Sequence, residues 1–217
     1  MRYLYLLLLM LSGLPSCEPV KGTEREETAR LNVTDELGHA FGRPVFLRII
    51  KEERKLELWT QHEGSWSILK TYPIAAMSGT LGPKKAEGDE QAPEGFYATR
   101  RELLNPRSSY HLSFNIGYPN AYDRRLGRTG SFIMVHGSDV SIGCFAMTDR
   151  GIEEIYTLVH QALLAGQPFV PIQIYPFEMT PERMEQEKKS PHYTFWQYLL
   201  PGWQHTHTHR EPYSPAT

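Results

Sequence analysis

The feature that most constrains the fold is a succession of short strand-like runs that begins after Pro44. The runs VFLRII (45–50) and KLELWT (55–60) flank the charged turn KEER, which predicts a β-hairpin. A third run, SWSILKTYPI, follows at 65–74. All three runs are rich in β-branched and aromatic residues and lack the spacing of a helix, so they predict neighbouring strands.

Further strands are predicted along the rest of the chain. Their sequences are FYAT (96–99), SYHLSFNI (109–116), SFIMVH (131–136) and VPIQIY (170–175). In 109–116 the apolar Leu112, Phe114 and Ile116 alternate with polar residues, which is typical of a half-buried strand. The run 131–136 is apolar as far as His136, which predicts a strand that is buried on both faces and ends at the histidine.

Helices and loops separate these strands. A helix is predicted from about Arg150 to Ala165, with Thr148 or Asp149 as its cap, and a second helix begins at Thr180-Pro181. The buried stripe of the first helix consists of Ile152, Ile155, Tyr156, Val159 and Leu163. Turn-rich loops are expected over 78–95 and 117–130. The elements together predict a mostly β, α+β fold with a few flanking helices.

Composition limits the classes of protein to consider. The 217 residues are 40% hydrophobic, which is enough for one sizeable core. The formal net charge is −2 and no cluster of Lys and Arg forms a basic stripe, so a nucleic-acid partner is not expected. His205, His207 and His209 alternate near the C-terminus without a rigid scaffold or a nearby Cys or Asp, so neither a metal site nor a cofactor is predicted.

The first 17 residues have the order of parts of an export signal. Arg2 precedes an apolar run that ends at Leu11, and small residues follow. The sequence LPSC, which ends at Cys17, resembles a bacterial lipoprotein box, although the proline departs from the usual pattern. Lipidation of Cys17 and plain soluble secretion both remain open. The predicted organisation is an export signal over 1–17, a polar linker over 18–43, a catalytic domain over 44–180, and a helical extension and tail over 181–217. A solvated helix is the alternative to a linker in the polar segment 18–40.

The candidate catalytic residues are His136 and Cys144, which lie eight positions apart in the sequence VHGSDVSIGC. If Cys17 is lipidated or removed, Cys144 is left without a cysteine partner. The thiolate is the reactive form of cysteine, and a neighbouring imidazole or a helix N-terminus favours it. Both are expected near Cys144, so the pattern predicts a thiol with a lowered pKa. An inert, buried cysteine is the alternative on pattern alone.

Gly143 precedes the thiol and allows a sharp turn. Backbone N–H groups at Gly143 and Cys144 are candidates for binding the oxygen of a tetrahedral intermediate. Ser141 either orients the histidine or stabilises the turn. Four residues of the adjoining strand and loop are weaker candidates for a substrate groove: Tyr110, His111, Asn115 and Tyr118.

The segment from His136 to Cys144 resembles the signature of the L,D-transpeptidase catalytic domain, or YkuD domain, in which a His-Gly step precedes Ser-x-Gly-Cys. Ser78-Gly79 and the turn APEGFY (92–97) also match pieces of this family, and residues 114–123 are similar to its YafK-like murein branch. Three departures stand out. The loop between His136 and Cys144 is shorter than in most of the superfamily, Ile142 replaces a common second histidine, and Ala146 replaces a common arginine.

The resemblance implies a β-sandwich with a cysteine groove and an activity on the peptidoglycan stem peptide. The cysteine would attack a stem amide and hold the stem as a thioester, and an amine or water would then take the acyl group. The first outcome is transpeptidation and the second is hydrolysis, which in this branch detaches murein lipoprotein. The implied location is the periplasm or cell envelope. A non-catalytic cell-wall binding module with the same fold is the rival from another class.

Overall fold

The computed structural model describes residues 23–33 and 35–215, so the predicted export signal and Cys17 lie outside the described residues. The strands are β1 (Val45–Ile50), β2 (Lys55–His62), β3 (Ser65–Pro73), β4 (Gly95–Thr99), β5 (Leu104–Asn105), β6 (Ser113–Asn115), β7 (Met134–His136), β8 (Phe145–Ala146) and β9 (Val170–Tyr175). The helices are α1 (Glu24–Asn32), α2 (Asp35–Gly38), α3 (Ala121–Arg125), α4 (Asp149–Leu164), α5 (Pro181–Gln186) and α6 (Tyr193–His209). These elements confirm the predicted α+β fold.

The larger sheet has five strands in the order β3-β2-β1-β9-β4. The first two strands of the chain form the predicted hairpin and β3 extends it as an antiparallel meander, while β9 joins β1 in parallel and β4 in antiparallel. Every residue of β1 is buried, because apolar groups cover both faces of the sheet at this strand. One face meets the main core. The other face carries Ile50 and Tyr175, which cluster with Phe177, two residues after β9, against the C-terminal helix α6.

The smaller sheet has four strands of two or three residues each, in the order β5-β6-β7-β8. Its central residues Phe114 and Val135 are fully buried and belong to the same core as α4 and the inner face of the larger sheet. The helix α4 packs against β1, β6, β7 and β9 and so joins the two sheets. This arrangement places the ends of β7 and β8 beside the start of α4, with His136 and Ala146 both buried.

The described part of the segment predicted as a polar linker begins at residue 23 and is helical over α1, which is the alternative to a linker there. Thr23 and Glu26 form a capping box that starts α1, and Ala29 and Val33 are buried in the main core. The helix lies against α4, and Glu26 accepts a hydrogen bond of 2.7 Å from the hydroxyl of Tyr156. The composition of this segment is polar because most of its side chains face water, while a few small apolar residues hold it in place.

The C-terminal helix α6 belongs to the same packing as the strands. Trp196, Leu199 and Trp203 are buried together with Tyr175 of β9. The expected domain boundary at residue 180 therefore does not coincide with a break in packing. Within residues 23–33 and 35–215, no helix combines the length and the apolar character that are needed to cross a bilayer.

The segments that flank the site contain the main differences from the predicted elements. Of the strand predicted over 109–116, only Ser113–Asn115 form a strand, β6. Of the strand predicted over 131–136, only Met134–His136 do, as β7. Phe132 is 73% exposed and has a φ of +52°, so it cannot continue a buried strand. The short helix α3 lies in the segment 117–130 that was expected to be a loop, and Asn120 and Asp123 form its capping box.

Candidate active site

The candidate base and nucleophile lie on neighbouring segments of the smaller sheet, because β7 and β8 are paired in parallel. His136 at the end of β7 pairs with Ala146 of β8, and Val135 pairs with Phe145. Cys144 directly precedes β8 and therefore lies beside the beginning of β7. Residues 137–143 form the turn that connects His136 to Cys144.

The Cys144 thiol is half-buried and forms hydrogen bonds with backbone groups at and just before the start of β7. Its Sγ accepts a hydrogen bond from the Met134 N–H at 3.4 Å, and the S–H donates to the Phe132 carbonyl at 3.6 Å. Burial raises the pKa of the Cys144 thiol, while the Met134 hydrogen bond and the charge of Lys84 oppose part of that rise. The prediction of a thiol with a lowered pKa is wrong for this free state, because desolvation outweighs the favourable charges.

The His136 side chain is buried and has one ring nitrogen fixed. Nδ1 lies 2.6 Å from the Gly137 carbonyl oxygen, which is an acceptor, so Nδ1 carries the hydrogen. A neutral ring then has a bare Nε2, which is able to accept a proton. Burial lowers the pKa of His136, with the Gly137 hydrogen bond acting in the opposite sense. The free protein therefore holds a neutral imidazole beside a neutral thiol.

No hydrogen bond joins His136 to Cys144 among the residues described. Catalytic hydrogen bonds are often long in a free enzyme and shorten when substrate binds. The Tyr110 ring covers the imidazole, with the two ring centroids 4.9 Å apart. This contact limits the orientations that the His136 ring can adopt.

The turn before the thiol presents unused backbone donors. Ser141 Oγ donates to the Cys144 carbonyl at 2.7 Å and so closes the turn, and Gly143 has a φ of +109°. A side chain is strained at that φ, which accounts for glycine at this position. The N–H groups of Gly143 and Cys144 donate to no other group of the described chain. They are available to an anionic oxygen.

The loop over 78–94 lies beside this turn, with the Gln91 carbonyl near Gly143. Side-chain bonds to the backbone fix the loop. Gln91 Nε2 donates to the carbonyls of Thr80 and Gly82 at 2.6 and 2.9 Å, and Ser78 Oγ donates to Glu90 at 2.6 Å. The loop has no regular secondary structure, yet its hydrogen bonds give it a fixed shape.

A buried ion pair anchors the same loop to the larger sheet. Lys51 Nζ donates to the carbonyls of Thr80, Gly82 and Ala92 and lies 3.0 Å from Glu94 Oε1. Glu94 Oε2 accepts a hydrogen bond of 2.8 Å from the Trp196 indole of α6. Burial lowers the pKa of Lys51, and Glu94 acts in the opposite sense. Sequence analysis missed this pair because Lys51 belongs to the charged turn KEER, which reads as a solvated hairpin end.

The four candidate groove residues have different environments. Tyr110 is half exposed and lies against His136, as a groove residue would. His111 Nε2 lies 2.7 Å from Glu153 of α4, and Asn115 Oδ1 accepts from the Gly117 N–H at 2.8 Å. Tyr118 is only 5% exposed, and its hydroxyl donates to the carbonyls of Lys84 and Thr129. The groove prediction for Tyr118 is wrong, because its side chain is enclosed between two loops.

Arg25 of α1 supports the turn that carries Tyr110. Its Nη1 donates to the carbonyls of Ser108 and His111 at 2.8 and 2.9 Å. His111 has a φ of +68°, a strained value for a residue with a side chain, so these bonds hold an unfavourable backbone. Sequence analysis missed Arg25 because it lies in the polar segment that was predicted to be a linker.

The C-terminal histidines, His205, His207 and His209, lie on the last turns of α6 and are not part of the candidate site. His205 Nε2 lies 3.1 Å from Glu211. In the part of the chain that the structure describes, no three side chains of His, Cys, Asp or Glu gather where they could hold a metal ion. The candidate site thus consists of a thiol, an imidazole and backbone groups.

Comparison with known proteins agrees with this arrangement. The model of the YkuD L,D-transpeptidase catalytic domain matches residues 44–174, which include both His136 and Cys144. Proteins named "Putative L,D-transpeptidase YafK" from Escherichia coli K12 and O157:H7 are each 43% identical over 213 residues, covering 98% of this chain and 86% of theirs. The chain belongs to the L,D-transpeptidase catalytic domain family. The family expected from the sequence is thereby confirmed.

Solved structures show the same fold. The helical cell shape determining protein Pgp2 from Campylobacter jejuni aligns with a TM-score of 0.50 at 21% identity, over 84% of this chain and 64% of that chain. Its K307A mutant aligns with a TM-score of 0.51 at 20% identity, over 85% of this chain. The chain thus spans less than two thirds of the length of these structures. At this identity the likeness concerns the fold alone.

Proposed function

We propose that this member of a peptidoglycan-modifying family is an exported enzyme that transfers or hydrolyses the acyl group of a peptidoglycan stem peptide through a thioester on Cys144. The observation that carries the proposal is the contact of 2.6 Å between His136 Nδ1 and the Gly137 carbonyl oxygen, which selects the tautomer of the ring. Nδ1–H is bound to the Gly137 carbonyl, so the bare Nε2 is the nitrogen left to accept a proton. A base of this kind is what a neutral thiol with a raised pKa requires.

In the first step Cys144 Sγ attacks the carbonyl carbon of the stem amide, and its proton passes to His136 Nε2. The tetrahedral oxygen takes hydrogen bonds from the N–H groups of Gly143 and Cys144, which have no other acceptor among the described residues. The carbon–nitrogen bond then breaks, and His136 returns the proton to the leaving amine. The stem remains on Cys144 as a thioester.

In the second step an acceptor attacks the thioester and gives its proton to His136. The carbon–sulfur bond breaks, and Cys144 regains its proton as the product leaves. An amine acceptor yields a cross-link or a protein attachment, whereas water yields a free stem carboxylate. The same residues serve both reactions. Detachment of murein lipoprotein from the stem is the hydrolytic outcome proposed for this chain.

The test is mass spectrometry of the purified protein with peptidoglycan fragments. A covalent adduct on the intact protein, present with the native sequence and absent from Cys144→Ala, is the expected result. New stem-to-stem dimers identify transpeptidation, and loss of a lipoprotein-derived peptide identifies hydrolysis. If fragments bind but wild type and Cys144→Ala give identical spectra, the chain is a binding module and the proposal fails.

The proposed location is the cell envelope, where peptidoglycan lies, with a lipid anchor at Cys17 as a finer proposal. The sequence LPSC supports the anchor. Mass measurement of the mature N-terminus in envelope extracts is the test. A diacylated Cys17 that disappears in Cys17→Ser supports the anchor. An unmodified N-terminus in the soluble envelope fraction contradicts it.

A further inference from the structure

The peptide group between Gly137 and Ser138 connects His136 to an acidic side chain. Its carbonyl oxygen accepts from His136 Nδ1–H at 2.6 Å, and its N–H donates to Asp149 Oδ1 at 2.8 Å. The peptide is trans, so its N–H and its C=O point in opposite directions. A carboxylate therefore lies at one end of this peptide dipole and the imidazole at the other.

We propose that Asp149 is a positioning residue for His136, acting through the Gly137–Ser138 peptide. This inference rests on the proposed function, in which His136 takes the proton of Cys144. The imidazolium that forms needs negative charge near Nδ1–H, and the Gly137 oxygen supplies it. A carboxylate bound to the other end of the peptide polarises the group and increases the charge on that oxygen.

The backbone around this peptide is fixed on several sides. The Gly137 N–H donates to the carbonyls of Tyr110 and Leu112 at 3.0 and 3.1 Å. The N–H groups of Met147 and Thr148 donate to the carbonyls of His136 and Ser138 at 2.8 and 2.9 Å. With its neighbours held, the 137–138 peptide cannot rotate freely, so its carbonyl stays directed at the imidazole.

Gly137 is required for the carboxylate to approach. A Cβ at this position would lie 2.6 Å from Asp149 Oδ1 and 2.7 Å from the Tyr110 carbonyl oxygen. Both distances are shorter than real Cβ atoms tolerate. The His-Gly step thus has a physical reason beyond turn formation, because the glycine admits the acidic side chain to the peptide that follows the histidine.

The hydrogen bond that Asp149 accepts from Ser138 is not needed to cap its own helix, α4. It is the first residue of α4, but Thr148 is the cap, and Thr148 Oγ1 accepts the Gly151 N–H at 3.2 Å. Asp149 Oδ1 instead reaches across the turn to Ser138. The arrangement resembles an Asp-His-nucleophile triad in which one peptide group separates the acid from the imidazole.

The main test compares Asp149→Asn with Asp139→Asn. Asp139 is an exposed acid in the same turn and has no hydrogen bond or ion pair in the structure, so its variant makes the same charge change as a matched control. The measurement is the titration of His136 by NMR in the full protein. We expect the His136 midpoint to move to lower pH in Asp149→Asn, since the cationic ring loses support, and to stay at its wild-type value in Asp139→Asn.

A salt series distinguishes the peptide relay from direct attraction through solvent. At about 1 M salt the Debye length is about 3 Å, so attraction between exposed charges is largely screened. The proposal requires the difference between Asp149→Asn and wild type to persist there. A difference that vanishes in salt, or titration curves that superimpose at every salt concentration, overturns it.

The kinetic test uses the same pair of variants. In Asp149→Asn we expect kcat/KM to fall roughly 5- to 30-fold, less than the ~10⁴-fold effect of Asp→Asn in a directly bonded triad, and its acid limb to shift to lower pH. A fall in kcat/KM without a shift of the limb indicates a structural role and contradicts the proposal. Because the NMR titration needs no turnover, it tests Asp149 even if the protein proves inactive on peptidoglycan.

Discussion

The two sheets of this protein differ in how they are held together. The five-stranded sheet has strands of five to nine residues, and apolar groups cover both faces at its central strands β1 and β9. The four-stranded sheet has strands of two or three residues, and it carries the thiol and the imidazole at its end. Long ladders and buried area stabilise the first sheet, whereas side-chain bonds to backbone groups fix the second.

This difference indicates that the larger sheet supplies most of the stability and the smaller sheet carries the reactive groups, although both share one core. Backbone groups that are not used in a ladder remain available to a substrate, as the N–H groups of Gly143 and Cys144 are. Four residues with side chains, His111, Phe132, Ser138 and Thr148, have positive φ values close to the site. Such conformations persist only where the surroundings determine them strongly, and the larger sheet and α4 provide those surroundings.

The largest expected effect is the loss of activity in Cys144→Ala, at the end of the smaller sheet, with little loss of stability. Cys144→Ala should lower turnover of stem peptides roughly 10³-fold or more, because the nucleophile is lost. Its free energy of unfolding should change by no more than about 1 kcal/mol, since the thiol lies at a surface turn. Turnover assays measure the loss of activity, and urea unfolding of the same preparation measures the free energy of unfolding. A large loss of stability would show that the thiol also belongs to the structural core.

The next effect concerns the ion pair under the larger sheet. Lys51→Met should lower the free energy of unfolding by about 3–5 kcal/mol, because it leaves Glu94 buried without its cation. Lys55→Met is the matched control on the same hairpin. Its pair with Glu178 is partly exposed, so the change should be at most about 1 kcal/mol. Equal losses in urea unfolding of the two variants would contradict the importance of the buried pair.

The pH dependence of the reaction tests the imidazole in the smaller sheet. Burial lowers the pKa of His136, so the ring becomes a neutral base at a lower pH than an ordinary histidine. The acid limb of kcat/KM should therefore have its midpoint below ~6.5, the usual histidine value. Activity is retained above that midpoint and lost as pH falls through it. A midpoint above the usual value would mean that a preformed thiolate–imidazolium pair carries the reaction.

The smallest effect concerns the support of the small sheet by α1. Arg25→Ala removes two hydrogen bonds to the turn that carries Tyr110, at an exposed position. We expect kcat to fall by about 3- to 10-fold, which corresponds to ~1 kcal/mol, with KM changed less. Arg30→Ala changes the same charge on the exposed side of α1 and should leave kcat unchanged. Partial recovery in Arg25→Lys would support a positioning role, and equal effects of Arg25→Ala and Arg30→Ala would exclude it.

The sequence by itself determined much of the larger sheet and the main helix. The runs at 45–50, 55–60 and 170–175 and the helix after Thr148 all lie where periodicity predicts them. Local patterns suffice there because long elements repeat the same apolar signal along their length. The pairing of His136 and Cys144 as candidates likewise came from a compact motif that resembles a family signature.

Only the tertiary structure decided what surrounds that pair. Lys51 and Arg25 occur in charged runs that read as solvated, yet one is buried under the loop at 78–94 and the other holds a turn more than 80 residues away. The Asp149 bond to Ser138 and the direction of the thiol's pKa shift also depend on atoms brought together from separate segments. Burial and long-range hydrogen bonds are properties of the packed chain, and local residue patterns do not encode them.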